Sequence, residues 1–284
     1  MRGEPRIARI FTNYVWLRGN SCNSGQKVFV KEYLTRRNPV LESLRAGRRP
    51  FYKLWLQEGV DKKRLRPILA EARRRGVPQA TAGKNRLTQL VQDSKHQGVV
   101  LEAGPYPYSD VDEILSLAAK RGERPFLLLL DLLHGPQNIG SLLRAAEITG
   151  VHGVITQNRR APEITPSVVQ YSAGAAEHLL IAQVTNLVTT MKRLQAENIW
   201  LVGLDLAEEA RPLPEVDLDI PLGVVVGHEG QGLRRLVRQT CDIRLRLPQR
   251  GRVASLNAAV AGSITLYLAW QARGFPAPLT GEQT

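Results

Sequence analysis

Residues 126–131 read Phe-Leu-Leu-Leu-Leu-Asp. Five large apolar residues in a row cannot alternate between core and water. Such a strand is apolar on both faces and must be covered on both, the situation of a parallel strand between two layers of helices. Similar apolar runs recur at Leu179–Val184, Ile199–Leu204 and Leu222–Val226, with a shorter one at His152–Ile155. Helical patterns over Ile139–Thr149 and Leu187–Glu197 separate them. This alternation predicts an α/β fold, a parallel sheet covered on both sides, over residues 124–284.

Open parallel sheets bind ligands in the loops at the carboxyl ends of their strands. Three such loops carry polar residues. After Val226 comes Gly227-His228-Glu229-Gly230-Gln231-Gly232. Its glycine spacing is wrong for a dinucleotide fingerprint, and it lacks the Lys-Ser/Thr of a phosphate loop. Glu229 stands where a phosphate would otherwise sit, so the turn suits a neutral or cationic ligand, or hydroxyls. The strand Ile243–Leu247 breaks at Pro248 and runs through a basic loop to Ser255-Leu256-Asn257 and a helix of small residues. The loop after residue 131 holds Gly135-Pro136-Gln137-Asn138, with Arg144 six residues on. Each of these side chains has a plain structural alternative. Asn138 and Ser255 sit where helix caps belong, Glu229 complements a helix dipole, and Arg144 is a solvated helix residue. Asn257 falls inside a first turn, where Asn is a mediocre helix former. Taken together, Asn138, Arg144, Glu229, Ser255 and Asn257 are the candidate catalytic residues.

Charge divides the chain. Residues 1–105 hold 22 Lys and Arg against 8 Asp and Glu, a net +14, and residues 106–284 carry a net −1. A basic part beside a near-neutral part points to one unit that meets a polyanion and another with a different task. The cations do not lie opposite a strong apolar face, which favours nucleic acid over membrane. Within the basic part, Asn38-Pro39 starts a helix, Lys53–Leu56 and Val99–Leu101 read as strands, and Leu65–Arg75 and Leu87–Val91 as helices. The predicted division is an extension over 1–34, a basic, nucleic-acid-binding α/β unit over 35–104, a linker over 105–123 with a short helix at Val111–Lys120, and the parallel-sheet domain. Candidate phosphate contacts are Arg48, Arg49, Lys53, Lys62, Lys63, Arg64, Arg66, Arg73, Arg74 and Arg75. The two cysteines, Cys22 and Cys241, are far apart and match no disulfide or zinc spacing. With no apolar signal core, they fit a reducing, cytoplasmic setting without a metal.

The three loops resemble the motifs of the SpoU/TrmH family of RNA ribose 2′-O-methyltransferases, in the SPOUT superfamily. Asn138-Ile139-Gly140 with Arg144-Ala145-Ala146 is similar to the first motif, Gly227-His228-Glu229-Gly230 to the second, and Pro248 to Asn257 to the third. Residues 36–104, with RNPVLESLRAGRRP and HQGVV at their ends, resemble the ribosomal-protein-like RNA-binding domain found in part of the family. Val184–Gly203 is similar to the branch that methylates a guanosine ribose of 23S rRNA. The chain departs from the usual pattern at Arg36, where Gly is common, at Gly135-Pro136, where Asp-Pro is common, and at Gln249, where Met is common.

The resemblance implies a trefoil-knotted parallel sheet in a homodimer with its sites at the subunit border. It implies S-adenosylmethionine bound bent, its adenine held by backbone around Gly227, Leu247 and Leu256. It implies Arg144 beside the attacking 2′-hydroxyl, with Asn138, Glu229, Ser255 and Asn257 fixing Arg144, the ribose and the methionine end. The implied partner is RNA, 23S rRNA before tRNA, and not DNA or a membrane. The alternatives are a tRNA 2′-O-methyltransferase or a non-catalytic RNA-binding homologue, and, from another class, a nucleotide-dependent enzyme on an ordinary doubly wound sheet, which the missing phosphate loop speaks against.

Overall fold

The computed structural model describes residues 30–159 and 163–277. Residues 1–29 of the predicted extension, including Cys22, lie outside the described residues.

The first unit runs β1 (Glu32–Thr35), α1 (Arg37–Ala46), β2 (Phe51–Gln57), α2 (Lys62–Arg74), β3 (Gln79–Ala82), α3 (Lys84–Val91) and β4 (Val99–Ala103). Its sheet has the order β1-β4-β2-β3, with β4 antiparallel to both of its neighbours and β3 parallel to β2. Residues 32–34 therefore belong to this sheet and not to an extension. Glu-Tyr-Leu-Thr is too short to show a period, and its pairing with β4 supplies the order. Strand β3, Gln-Ala-Thr-Ala, has no apolar run and went unpredicted for the same reason. On α2, Leu65, Ile68, Leu69 and Ala72 are buried, the face the spacing predicted, and Asp61 caps the helix by accepting from Lys63 N at 3.0 Å.

Helix α4 (Val111–Arg121) corrects the predicted linker. A capping box of Asp110 and Glu113 starts it, and Val111, Ile114 and Ala118 are buried on one side. Val111 and Ile114 pack with Leu127, Leu129 and Ile155, so α4 is one of the helices covering the second sheet. Continuing along the chain come β5 (Phe126–Leu130), α5 (Pro136–Ile148), β6 (Gly153–Gln157), α6 (Pro166–Tyr171), a 3-10 turn (Ala175–His178), β7 (Leu180–Val184) and α7 (Leu187–Ala196). Then follow β8 (Trp200–Leu204), β9 (Arg211–Pro212), β10 (Leu222–Val226), α8 (Arg235–Thr240), β11 (Ile243–Arg246) and α9 (Ala258–Ala272). The sheet is parallel throughout, in the order β7-β6-β5-β10-β8-β11-β9. Both faces of β5 are buried, as its five apolar residues require. Helix α9 lies close against α5 and β10 because position 262 is Gly. A Cβ there would come within 2.8 Å of Leu142 and 3.0 Å of Val226.

The two units meet through buried charge. Arg49 and Glu177 are a paired guanidinium and carboxylate with both side chains wholly buried. Arg49 also reaches Glu32 at 2.6 Å and the Gly104 carbonyl at 3.0 Å. Arg48 donates to the carbonyls of Leu179 and Pro107, and Tyr106 Oη donates toward Ala176 and Leu179. Two of the predicted phosphate contacts, Arg48 and Arg49, are thus internal clasps. Arg49→Met strands Glu177 without its partner and is expected to cost about 3–5 kcal/mol of stability, read by urea unfolding. Adding Glu177→Gln should recover part of that loss. Unchanged stability in the single variant would show that the pair contributes nothing.

Candidate active site

Register explains why the distant loops meet. Leu130 of β5 lies level with Val226 of β10, and Asp131 N donates to Val226 O at 2.8 Å. The loops that follow these strands therefore leave the sheet side by side. Strand β8 flanks β10 on its other side and β11 lies beyond it, which brings the third loop to the same end of the sheet.

The second loop closes on itself. His228 N donates to Gly232 O at 3.0 Å, and Gly232 N donates back to His228 O at 2.9 Å. A side chain at Gly227 would collide with the Gly232 backbone, so this tight closure requires glycine there. The turn forms one wall of a cleft of about 290 Å³. Val226, Leu245, Leu247 and Leu256 make its apolar lining, and Gly227, Glu229 and Ser255 also border it. Of the predicted site residues, Gly227, Leu247, Leu256, Glu229 and Ser255 thus line one cavity.

Asn138, Glu229 and Asn257 form a hydrogen-bonded chain with one direction. Asn257 Oδ1 accepts from Ala259 N at 2.9 Å and Val260 N at 3.2 Å, capping α9. That leaves Asn257 Nδ2 to donate to Asn138 Oδ1 at 3.3 Å. Asn138 Nδ2 in turn donates to Glu229 Oε1. The helix amides fix the first Asn, the first Asn fixes the second, and the second aims at the carboxylate. Two expectations are corrected here. Asn257 is itself the cap, while Ser255 lies in the loop before it. Asn138 is not a cap. Gly135 holds that place with φ 84°, and Pro136 opens α5, as proline does at first helical positions.

Arg144 stands apart. It is exposed on α5 and makes no hydrogen bond or ion pair with any described residue. Six residues are about one and two-thirds helical turns, so Arg144 and Asn138 lie on different sides of α5.

Residue-by-residue reading missed the group that holds the loops. Asp131, wholly buried at the end of β5, accepts from Arg234 N at 2.8 Å and Arg234 Nε at 2.6 Å. Arg234 Nη2 donates to Gln157 Oε1 at 3.0 Å. The exit of β5, the start of α8 and the end of β6 are tied by one ion pair. Its signal was a charge closing an apolar run. His228 Nδ1 accepts from Gly230 N at 3.0 Å, which leaves the proton of the neutral ring on Nε2. Burial pushes the Cys241 thiol up to about 12, so it is no nucleophile near neutral pH.

A cleft at the carboxyl ends of a parallel sheet, walled by apolar side chains and backbone, fits a flat neutral heterocycle and offers no phosphate cradle. A carboxylate and two amides at its rim hold polar groups in fixed orientation. These are the features of a group-transfer site that takes a nucleoside-like cofactor and a hydroxyl-bearing substrate. Residues 125–267 match the model of the SpoU rRNA methylase family, and residues 37–109 match that of the RNA 2′-O ribose methyltransferase substrate-binding domain. A TrmH family tRNA/rRNA methyltransferase of Bacillus subtilis, YacO, is 37% identical over 242 residues, covering 85% of this chain and 96% of its own. A TrmH family tRNA/rRNA methyltransferase of Staphylococcus haemolyticus is 36% identical, covering 84% and 94%. The crystal structure of the SpoU methyltransferase AviRb from Streptomyces viridochromogenes in complex with AdoMet superposes with a TM-score of 0.71 at 26% identity, covering 87% of this chain and 92% of that one. The chain belongs to the SpoU/TrmH family of RNA 2′-O-ribose methyltransferases.

Proposed function

We propose that the protein transfers the methyl group of S-adenosylmethionine to a ribose 2′-hydroxyl of structured RNA, a guanosine of 23S rRNA first among candidates. The observation that carries this is the directed Asn257–Asn138–Glu229 chain at the rim of the cleft. Likeness of Val184–Gly203 to the RlmB branch of the family supports the 23S rRNA target. S-adenosylmethionine supplies a methyl group on a positively charged sulfur. Gly227, Leu247 and Leu256 hold the adenine, consistent with the apolar lining. Arg144 is charged throughout the ordinary pH range and is not the base. It orients the 2′-hydroxyl and stabilises the negative charge that grows on the oxygen, and a phosphate or water takes the proton. Glu229, Asn138, Asn257 and Ser255 hold the ribose and the methionine end in line, so that positioning supplies much of the rate.

The working unit in this reading is a homodimer with a trefoil-knotted sheet. Helix α9 supports the pairing. Its inner side is buried at Ala259, Gly262, Leu266 and Ala269, yet its outer side exposes Val260 at 47%, Ile264 at 39% and Tyr267 at 50%. A helix apolar all round belongs in an interior, and a second copy provides one. Purified protein, labelled S-adenosylmethionine and separate 23S rRNA and tRNA transcripts test the reading, with mass spectrometry to find the methylated nucleotide. Labelling of a base in place of a ribose, or of neither RNA, would overturn it.

Internal pairing sorts the candidate phosphate contacts on α2. Arg64 pairs with Asp61, and Arg74 and Arg75 pair with Glu71. Lys62, Arg66 and Arg73 are exposed without partners among the described residues and lie along one flank of α2. Replacing these three with Gln should weaken RNA binding and flatten its salt dependence by about 0.7–0.9 log units per log unit of salt for each phosphate no longer neutralised. Turnover at saturating RNA should stay near wild type. An unchanged slope would send the RNA to another face.

A further inference from the structure

The near-neutral balance of residues 106–284 conceals a local excess. No Asp or Glu occurs between Asp242 and Glu282, while Arg244, Arg246, Arg250, Arg252 and Arg273 all fall there. Two of these are used internally. Arg244 stands 3.7 Å from Asp205, and Arg273 donates to the carbonyls of Arg124, Pro125 and Ile220. Arg250 and Arg252 make no hydrogen bond or ion pair with any described residue. Both are exposed on a loop whose two ends, Gln249 and Ser255, line the cleft. Val253, beside them, is 80% exposed, and nothing approaches a Cβ built at Gly251. Residues 248–254 are all exposed, so neither burial nor ion pairing with a described residue accounts for the two arginines. Glu229, the carboxylate at the rim, is turned to Asn138.

We propose that Arg250 and Arg252 grip phosphates of the RNA backbone beside the target ribose, making the loop at 248–254 a second RNA contact, separate from the basic N-terminal unit. The proposal rests on the RNA methyltransferase reading above. The nucleophile is a single hydroxyl on a flexible polyanion. Binding through a remote unit raises the local concentration of RNA but does not orient one sugar. Phosphate contacts position a nucleic acid, and contacts at the mouth of the cleft position the sugar that reacts. A guanidinium fork binds two phosphate oxygens at once, which fixes direction as well as distance.

The test uses the full-length protein, wild type and Arg250→Gln/Arg252→Gln, with the same RNA over a range of salt. Calorimetric affinity for S-adenosylmethionine should agree within about twofold, showing that the variant folds and that these arginines do not hold the cofactor's carboxylate. KM and Kd for RNA should rise about tenfold or more, and kcat at saturating RNA should fall about tenfold as well, because the reacting sugar is held less well. The slope of log affinity against log salt should fall by about 1.4–1.8, as expected when two phosphates at 0.7–0.9 each keep their counterions. Arg250→Lys/Arg252→Lys should keep the slope and only part of the affinity. Unchanged RNA affinity and slope, or a loss confined to S-adenosylmethionine binding, would overturn the proposal. The slope is read from RNA binding as well as turnover. Failure of the wild type to methylate would therefore count against the enzymatic reading, and a flat comparison of slopes against the loop.

Discussion

Asn257→Asp is expected to lower methyl transfer at least about a hundredfold, the scale of losing one preorganised donor, while leaving thermal stability near wild type. The substitution changes one NH2 into an oxygen and nothing in shape. Asp caps helices as well as Asn does, so α9 keeps its start. Asn138 Oδ1, however, then faces an oxygen instead of Asn257 Nδ2. If the Asn138 amide turns over to relieve this, its oxygen meets Glu229 Oε1, which now accepts from Asn138 Nδ2. One acceptor–acceptor contact is unavoidable, and it falls at the rim of the cleft. Asn257→Ala behaves differently. It removes the cap, at a cost of about 1 kcal/mol, but introduces no opposed oxygens. Methyl-transfer rates and melting temperatures for both variants decide the matter. Wild-type turnover in Asn257→Asp would mean that the directed chain has no part in the reaction.

Arg144→Ala is expected to reduce turnover about a thousandfold or more, with affinity for S-adenosylmethionine changed little. No described side chain depends on Arg144 for a hydrogen bond or ion pair, so its removal unpairs nothing in the fold. Its proposed partner is the ribose oxygen, which is absent until RNA arrives. Arg144→Lys should rescue poorly, since a point charge does not reproduce a planar fork. Single-turnover rates at saturating RNA, beside cofactor affinity, separate the two effects. Near-normal rates in either folded variant would remove Arg144 from the reaction.

The parallel sheet was legible because its strands carry their own instruction. Phe126–Leu130 and Leu222–Val226 are apolar at every position, which only a doubly covered strand tolerates. The strands that escaped notice, Glu32–Thr35 and Gln79–Ala82, owe their order to partners far away in sequence. Helix α4 showed its apolar spacing but sat among glycines and prolines, and what it covers is decided only in three dimensions. In the site, residue types and loops were readable and roles at helix ends were not. Asn257 caps α9 in place of Ser255 and also joins the network, and Asn138 caps nothing, because a cap depends on where the helix starts, a matter of one or two residues. The pair of Asp131 and Arg234 joins positions 103 residues apart, which no local pattern reveals. The net charge of the second part says little for a different reason: an average over 106–284 hides Arg250 and Arg252, two unpaired arginines on a loop that the sequence already shows as basic.

The buried clasp of Arg49 with Glu177 and Glu32 bears on how a target is chosen. Parting the two units would break the Arg49–Glu177 pair and the bonds of Arg48 and Tyr106 to the carbonyls of Ala176 and Leu179, while Arg49 and Glu32 would stay together in the first unit. These contacts favour one spacing between the flank of α2 and the cleft. With the flank of α2 and the cleft both meeting RNA, as proposed above, that spacing favours an RNA whose folded shape matches it. In that reading target choice rests on the tertiary structure of the RNA as well as on the sequence around the methylated nucleotide.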